Sequence, residues 1–497
     1  MTLAPRAILD LEGMRAFRHR NYRLFFLGQG TSLIGTWMQS VAQSWLVLLL
    51  TGDPFILGVV AAFQFLPVLV LGLFGGVIAD HLPKRRTLMA TQTFAMAVSF
   101  VMFLLTWTNT VQVWHVLAIA LLIGLRNSVD MPTRQAFSVE MVGRDDIQNA
   151  VALNSATFNG ARIIGPAVAG LVIGAFGVPL AFLTDALSFL AVLVALWMMD
   201  EHELQLPPTL PRPHSVAEVA ENLREGLVYV RDTRLVLLAI SVIGLVSTFG
   251  MNFTVLVPPL AKDVLHSDAA GYGFLMAASG LGSLTAAIAI AFGGRASAAT
   301  IVGGAALLGV AEVVTGVSGA FGLTLFAMIF VGVGGIAMSA NANSVIQLSV
   351  PDVLRGRVLS VYTTVFAGST PIGGLVMGGI AGSMGVTTAL VVGGAISALV
   401  GFIGWLSVRS GAVPAAPPQI PPRTVLAPPE IGAESLPLAA AERAQAVSAP
   451  RGPEPAESVR VGPRIAGSSA RRRDPDRETV PVARLDERGS EVTGSRN

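Results

Sequence analysis

The sequence predicts an all-α membrane protein with twelve transmembrane helices in two pseudo-symmetric six-helix halves. The prediction rests on composition, on the number of long apolar runs and on an internal repeat. Of the 497 residues, 53% are hydrophobic and only 13% are charged, and the mean hydropathy is +0.66. Such values are typical of a chain that is mostly solvated by lipid.

About twelve apolar runs follow one another, each close to the twenty residues that a helix needs to cross the hydrocarbon core of a bilayer. They lie near residues 34–50, 56–79, 88–107, 114–137, 151–176, 180–198, 235–260, 272–292, 300–317, 323–347, 358–384 and 387–408. The predicted layout is an N-terminal arm (1–23), a first half (24–199), a central loop (200–234), a second half (235–409) and a tail (410–497). Residues 216–231 of the central loop have the spacing of an amphipathic helix. The Pro-, Ala- and Arg-rich tail predicts disorder.

The two halves repeat each other when the first is shifted by 208 positions. Five glycines then coincide with glycines of the second half: Gly124, Gly165, Gly170, Gly174 and Gly177 fall on Gly332, Gly373, Gly378, Gly382 and Gly385. Parallel halves related in this way enclose a cavity that can be reached alternately from either side of the membrane.

Basic residues alternate between successive connections, and short cytoplasmic loops hold the positive charge in inner-membrane proteins. They are concentrated in the N-terminal arm, the central loop and every second connection, at Arg15, Arg18, Arg20, Arg23, Lys84, Arg85, Arg86, Arg144, Arg224, Arg231, Arg234, Arg295, Arg355 and Arg357. The alternation predicts that both termini are cytoplasmic.

The most distinctive motif lies at the end of the second run. Gly72, Gly76 and Asp80 fall at i, i+4 and i+8, so they share a helix stripe that a neighbouring helix can approach closely. At this place Asp80 could accept a hydrogen bond from a helix N-terminus or form an ion pair with an arginine. This contact would break when the cytoplasmic side opens. Alternatively, the glycines only allow close helix packing, and the basic residues that follow only fix the orientation of the chain in the membrane. The complete candidate cytoplasmic gate is Gly72, Gly76, Asp80, Lys84, Arg85 and Arg86.

This segment resembles the signature loop of the major facilitator superfamily, G-x-x-x-D-R-x-G-R-R, with His81 in place of the first basic residue. A second motif, on the fifth run, contains Gly160, Gly165, Pro166 and Gly170. Glycines permit close packing, and a proline kinks a membrane helix. The motif resembles G-x-x-x-G-P-x-x-G-G of the exporting, antiport branches, which implies export. As plain packing glycines, these residues would carry no information on direction.

Ionisable residues inside a membrane are costly and are therefore functional candidates. Arg126, Asp130 and Arg134 fall at i, i+4 and i+8 on the fourth run. Arg162 on the next run lies at similar depth, about 20–25 Å from the outer end at 1.5 Å per residue. Asp130 could pair with Arg126 or Arg162. It either binds the coupling proton or forms a permanent ion pair, since flanking arginines favour the charged carboxylate.

Other polar residues on the apolar runs give weaker signals. Asp185 and Glu312 are isolated acids, which we expect to face a loop or a headgroup region rather than to bind a proton. Cavity-lining candidates are Gln39, Gln43, Thr248, Asn252, Asn341, Asn343 and Gln347. With Phe63, Phe65 and Phe249 they would suit an amphiphilic substrate, although hydrogen bonds between helices explain each of them equally well.

Residues 131–137 and 149–155 resemble the bacterial branch that holds enterobactin-type siderophore exporters and macrolide-efflux proteins, over residues 17–409. The resemblance implies proton-driven efflux of a hydrophobic or amphiphilic small molecule, drug or siderophore, across the inner membrane. Nutrient uptake and a transport-dead scaffold or sensor are the alternatives.

The sequence has no cysteine, no nucleotide-binding P-loop and no H-E-x-x-H or G-x-S-x-G motif. We therefore expect no enzymatic activity, cofactor, metal site or nucleic-acid partner, and transport energy must come from a gradient. The expected partners are a small-molecule substrate, protons and the lipid bilayer, with the chain as a monomer.

Overall fold

The computed structural model describes residues 12–205, 216–293 and 296–417, and gives only the backbone of residues 12, 73–81, 216–220 and 222. The predicted disordered tail lies almost entirely outside these residues, and the proline cluster of the central loop and the side chain of Asp80 lie wholly outside them.

The first half contains six membrane-spanning helices. Their bounds are α1 Arg20–Thr51, α2 Pro54–His81, α3 Lys84–Trp107, α4 113–142, α5 144–176 and α6 Val178–Trp197. Helices α4 and α5 form one helical stretch, Val113–Phe176, which is divided only at Gly143. The short connections keep consecutive helices antiparallel, as the alternation of basic loops requires.

The second half repeats this arrangement after a linker helix, Val216–Asp232, which ends one residue beyond the amphipathic segment predicted from the sequence. Its helices are α7 Arg234–Phe249 with the continuation Phe253–Pro259 and a π-helical turn Leu260–Val264, α8 Ala269–Gly293, α9 Ala298–Val317, α10 Phe321–Ser349, α11 Asp352–Met384 and α12 Val386–Arg409. Eleven helical stretches of the described chain are long and apolar enough to cross a membrane. The division at Gly143 makes twelve spans, which confirms the predicted fold class.

Gly143 takes the place of the loop expected between the fourth and fifth runs. Its φ of 74° and ψ of −177° lie in a region that is essentially open to glycine alone. A Cβ atom at this position would also lie 2.2 Å from Oε1 of Gln205. The chain therefore reverses direction at a single residue, and the polar residues on either side of it remain helical.

The glycines of the repeat occupy equivalent places in the two halves. Gly165 packs on α1 and Gly373 packs on α7, while Gly170 packs on the start of α8 and Gly378 packs on the start of α2. Each pair thus makes the same contact when the halves are exchanged. The pseudo-symmetry read from the sequence is confirmed by these contacts.

Ion pairs connect segments at one end of the bundle, which we call the arginine-rich end. They are Arg15 with Asp146, Lys84 with Glu140, Arg85 with Glu201, and Arg357 with Glu225. The first joins the N-terminal arm to α5, the second joins α3 to α4, the third joins α3 to the start of the central loop, and the last joins the linker helix to α11. The more exposed of these pairs contribute little to the free energy of unfolding.

The halves meet closely at the other end of the bundle, which we call the glycine-sealed end. Helix α2 packs on α11, where a Cβ atom at Gly58 would lie 2.0 Å from the carbonyl oxygen of Gly374. Helix α5 packs on α8, where a Cβ atom at Gly273 would lie 2.4 Å from the carbonyl oxygen of Pro166. Backbones approach so closely only where side chains are absent, which is the usual way that membrane helices pack tightly.

The conformation of Gly143 predicts the effect of adding a methyl group. Gly143→Ala should lower the free energy of unfolding by about 1–3 kcal/mol from backbone strain, and the contact with Gln205 adds to that loss. The measurement is thermal unfolding of the purified protein in detergent. Gly303→Ala is the matched control, because nothing lies within 4 Å of a Cβ atom there. Equal melting temperatures for the two variants would contradict this account of the turn.

Candidate functional site

A cavity of about 720 Å³ runs along α1, α4 and α5. Its lining extends along α1 from Phe25 to Thr36 and along α4 from Arg126 to Val139. These segments reach from the middle of the bundle to the arginine-rich end. The cavity therefore begins near the centre of the molecule, with the glycine-sealed end closed beyond it.

The lining is amphiphilic. Its apolar members are Phe25, Phe26, Leu33, Met131, Val139, Ile147, Val151 and Phe158, and its uncharged polar members include Gln29, Thr36, Asn127, Gln135, Asn154, Ser155 and Asn159. A large, mostly apolar concavity with a few polar groups is the usual form of a small-molecule site. No group of His, Asp and Glu in the described part of the chain is arranged to hold a metal ion.

One charged cluster lies in this lining. Asp130 is 1% exposed, and its Oδ1 accepts from Thr91 Oγ1 at 2.6 Å and from Gln92 Nε2 at 2.8 Å. Arg126 Nη2 lies 3.3 Å from the same oxygen. Arg134 donates to Oδ2. Arg126, Asp130 and Arg134 therefore lie together on one helix face, as their spacing predicts. Helix α3 supplies two further donors that the spacing could not indicate.

The carboxylate of Asp130 has a donor at each oxygen and two cations beside it. Opposite charges and hydrogen bonds to the charged form both favour an ionised carboxylate. This geometry supports the structural ion pair over the proton site, the two alternatives left open by the sequence. It also leaves the cluster with two guanidinium groups against one carboxylate, an excess of one positive charge.

Arg162 does not join this cluster, so the Asp130–Arg162 pair considered from the sequence does not form. Its guanidinium carbon lies 5.9 Å from the ring centroid of Trp37 on α1. Trp37 in turn packs edge-to-face on Phe158 of the cavity lining, with centroids 5.7 Å apart. The two arginines of α4 lie nearer to Asp130 because they share its helix face.

Two basic residues of the candidate cytoplasmic gate form contacts, Lys84 with α4 and Arg85 with α6 and the start of the central loop. Lys84 pairs with Glu140 of α4 at 2.6 Å, and Arg85 pairs with Glu201 and donates to the carbonyl oxygen of Leu196. Gly72 is open, with nothing within 4 Å of a Cβ atom. Arg86 is exposed, and Gly76 and Asp80 lie on the part of α2 whose side chains are outside the described residues.

The fifth-helix motif is divided between two packing surfaces. A Cβ atom at Gly165 would lie 2.5 Å from the Cβ atom of Trp37 on α1, and one at Gly170 would lie 2.8 Å from the carbonyl oxygen of Ala269 on α8. Pro166 lies inside α5 between them, whereas Gly160 has open space around it. The motif therefore joins α5 to its own half and to the other half at once.

The seven polar candidates for substrate contact lie outside the cavity lining. Three of them donate hydrogen bonds to backbone carbonyl oxygens four residues earlier in the chain: Thr248 to Gly244, Asn252 to Thr248, and Asn341 to Ala337. Gln39 and Gln43 are buried, and Gln347 donates to Asn343. Substrate contact through these residues stays a prediction.

The expectation that Asp185 and Glu312 face a loop or a headgroup region is wrong, because both are fully buried. Asp185 Oδ2 accepts from Ser99 Oγ at 2.5 Å. Neither oxygen of Glu312 has a hydrogen-bond partner in the described structure. Apolar composition of the surrounding runs did not reveal that these two positions point into their own bundles.

The two buried acids occupy corresponding spaces, between the first, third and sixth helices of their halves. A Cβ atom at Gly35 on α1 would lie 2.9 Å from Oδ1 of Asp185, and one at Gly250 following α7 would lie 3.1 Å from Oε2 of Glu312. The acid comes from the sixth helix in one half and from the third helix in the other. The space is thus repeated although the residue that fills it is not.

Sequence reasoning missed most of the cavity lining on α1 and α5. Gln29, Leu33 and Thr36 follow one another at helical spacing, but they precede or begin the apolar run predicted at 34–50. The polar residues of α5 that line the cavity carry no spacing signal that separates them from packing residues. The helical spacing of Gln29, Leu33 and Thr36 is the signal that could have identified them, had the first apolar run been extended back to residue 20, where α1 begins.

Comparison with known proteins gives a family and several relatives. A family model described as transmembrane secretion effector matches residues 12–427. The staphyloferrin A transporter of Staphylococcus aureus is 24% identical over 54% of this chain and 66% of that protein. The multidrug efflux pump Tap of Mycolicibacterium fortuitum is 27% identical over 72% of this chain and 88% of that protein. An enterobactin exporter of Shigella boydii is 25% identical over 74% of this chain and 86% of that protein.

Among solved structures, the nucleoside transporter NupG superimposes with a TM-score of 0.62 at 12% sequence identity. The match covers 78% of this chain and 99% of that one. At this identity the likeness establishes the fold, and it carries nothing about the substrate.

Burial of the charged cluster predicts that Asp130→Asn destabilises the protein. The change leaves two guanidinium groups beside an uncharged amide, and breaking a buried pair in this way costs about 3–5 kcal/mol. Thermal unfolding in detergent measures the loss. Asp352→Asn is the control, since its pair with Arg355 is exposed and should contribute about 1 kcal/mol or less. A melting temperature unchanged by Asp130→Asn would contradict the structural role.

Proposed function

Because the chain belongs to the transmembrane secretion effector family of the major facilitator superfamily, we propose that it exports an amphiphilic small molecule from a bacterial cell by proton-coupled transport. Membership confirms the resemblance drawn from the motifs, and the chain is a multi-pass membrane transporter rather than an enzyme. The cavity of about 720 Å³ with its mixed lining is the observation that supports the proposal.

Export is favoured over uptake by the relatives and by the fifth-helix motif. Two of the relatives are named as an efflux pump and an exporter. We assign the arginine-rich end to the cytoplasm because positive charge accumulates on that side of inner-membrane proteins. In this orientation the cavity is open to the cytoplasm, where a substrate to be exported would enter. The glycine-sealed end must then separate to release it.

Glu312 is the carboxyl group best suited to carry the coupling proton. Two arginines and two neutral donors contact Asp130, so protonation would remove the negative charge that both arginines pair with. Glu312 has no hydrogen-bond partner and no cation within 4 Å among the described residues, and α7 and α12 face it with Gly250 and Gly393. A buried carboxyl in such surroundings is more stable neutral than charged. Each turnover would then bind and release a proton there.

Dye accumulation in expressing cells tests export and coupling together. A fluorescent amphiphilic dye should accumulate less than in cells with empty vector, and a protonophore should abolish the difference. Glu312→Gln should remove the protonophore-sensitive part, because an amide cannot release the proton, while leaving the melting temperature near that of the parent.

Glu203→Gln, an exposed carboxyl outside the membrane helices, is the matched control and should export like the parent. Full protonophore-sensitive efflux in Glu312→Gln would contradict the coupling assignment. Raised, protonophore-sensitive accumulation in the parent would contradict export and favour uptake.

Disulfide trapping tests whether the glycine-sealed end must open. A Cβ atom at Gly382 would lie 3.6 Å from that of Phe55, inside the range of about 3.5–4.5 Å found in disulfides. In this cysteine-free chain, oxidation of the Phe55→Cys, Gly382→Cys double variant should join α2 to α11 and stop export, and a reductant should restore it. The Phe55→Cys, Ser383→Cys pair, turned by about 100° on α11, should not cross-link. Undiminished export by the cross-linked protein would contradict alternating access.

A further inference from the structure

We infer that the closed end of the cavity binds the anionic group of an amphiphilic substrate, with Arg162 as the residue that receives the negative charge. The inference rests on the proposed function, because it names the chemical class of molecule that the carrier moves: an organic anion, such as a carboxylate or a sulfonate, that carries an apolar body.

Arg162 lies directly beyond the cavity lining. Phe158 and Asn159, one turn earlier on α5, belong to that lining. The Arg162 guanidinium lies over the ring of Trp37, and Trp37 packs on Phe158. Arg162 therefore stands at the deepest point that a molecule entering from the arginine-rich end would approach.

Among the residues that the structure describes, Arg162 has no counterion. In the part of the chain that the structure describes, no carboxylate lies within 4 Å of its guanidinium, which also donates no hydrogen bond. A guanidinium at this depth in a membrane protein is costly and is normally paired. Its contact with the Trp37 ring offsets part of that cost, and a bound anion would pair with the charge directly.

A second unused donor points to the same place from the other half. Ser279 of α8 is buried, and its hydroxyl has no hydrogen-bond partner in the described structure. Ser279 and Arg162 line one small void of about 10 Å³, about the space of a single water molecule. An anion that reached both donors would contact the two halves at once. Its binding would therefore be coupled to the movement that separates them.

The rest of the cavity has the matching charge. Among the residues that line it, the charged side chains are Arg126, Asp130 and Arg134, so two cations face one carboxylate. When Arg162 is included, the site has an excess of two positive charges, and its one lining carboxylate, Asp130, is already paired. Such a cavity attracts anions and repels cations, while Phe25, Leu33 and Phe158 accept an apolar body.

Charge-selective modification of one introduced thiol tests this inference directly. Asn159→Cys places that thiol in the cavity lining one turn before Arg162. The purified protein, in lipid nanodiscs, is treated with methanethiosulfonates that bear either a sulfonate or a trimethylammonium group. Their rate ratio, normalised to a free thiol, reports the local potential. Adding Arg162→Gln should lower the ratio of anionic to cationic rates by about five-fold or more, whereas Arg162→Lys should retain most of it.

Arg355→Gln, which removes an exposed arginine of α11, is the matched control and should leave the ratio unchanged. A ratio that Arg162→Gln does not alter would overturn the inference. So would a failure of both reagents to modify the Asn159→Cys variant, since the site requires an accessible cavity.

Transport by the unmodified chain separates this inference from the proposed function. Dansyl-phenylalanine and its uncharged amide form a matched probe pair, and preferential export of the carboxylate, lost in Arg162→Gln, is expected. Export of the amide at an equal or greater rate would overturn the anion site and leave export standing. If neither probe nor the dye is exported, the result would count against export, while the ratio of the two thiol-modification rates would still decide the anion site.

Discussion

Close backbone contact between the two halves is the constraint on which this architecture depends. At Gly58 with Gly374 and at Gly273 with Pro166 the helices lie too near for any side chain. Membrane helices gain little from the hydrophobic effect when they associate, so packing at short distance has to supply the attraction. Contacts of this kind seal one end of the bundle. The cavity lies towards the other end, where α1, α4 and α5 of the first half line it.

The buried charged side chains differ in whether they have partners among the described residues. Asp130 has donors from α3 and α4 at both oxygens, so the cluster is a stable part of the wall. Glu312, which is buried, and Arg162, which is partly buried, differ from it, because neither has a partner of opposite charge among the described residues. Unpaired ionisable groups in a membrane are expensive, and their presence is best explained by a ligand that completes them. The proton at Glu312 and the organic anion at Arg162 are the two ligands proposed.

Much of the fold could be predicted from the sequence because its signals are local. The length of the apolar runs predicts the membrane-spanning helices, and the repeat at 208 residues, as in Gly165 and Gly373, predicts the symmetry of the two halves. The spacing of Arg126, Asp130 and Arg134 predicts that they share one helix face. The environment of Asp185 and Glu312 could not be predicted, since helical spacing alone does not tell a lipid-facing side chain from one that faces its own bundle. The spacing left Arg126 and Arg162 open as partners of Asp130, and only the pair with Arg126 forms, because pairing across helices depends on their rotation.

The proposed export requires that the cavity opens at the arginine-rich end and that this end faces the cytoplasm. Ser155 lines the cavity and is exposed, so Ser155→Cys in the cysteine-free chain provides a single reporter. It would be treated with a membrane-impermeant maleimide in right-side-out and in inside-out vesicles. We expect rapid labelling in inside-out vesicles and little in right-side-out ones. Labelling in right-side-out vesicles alone would contradict the proposed orientation.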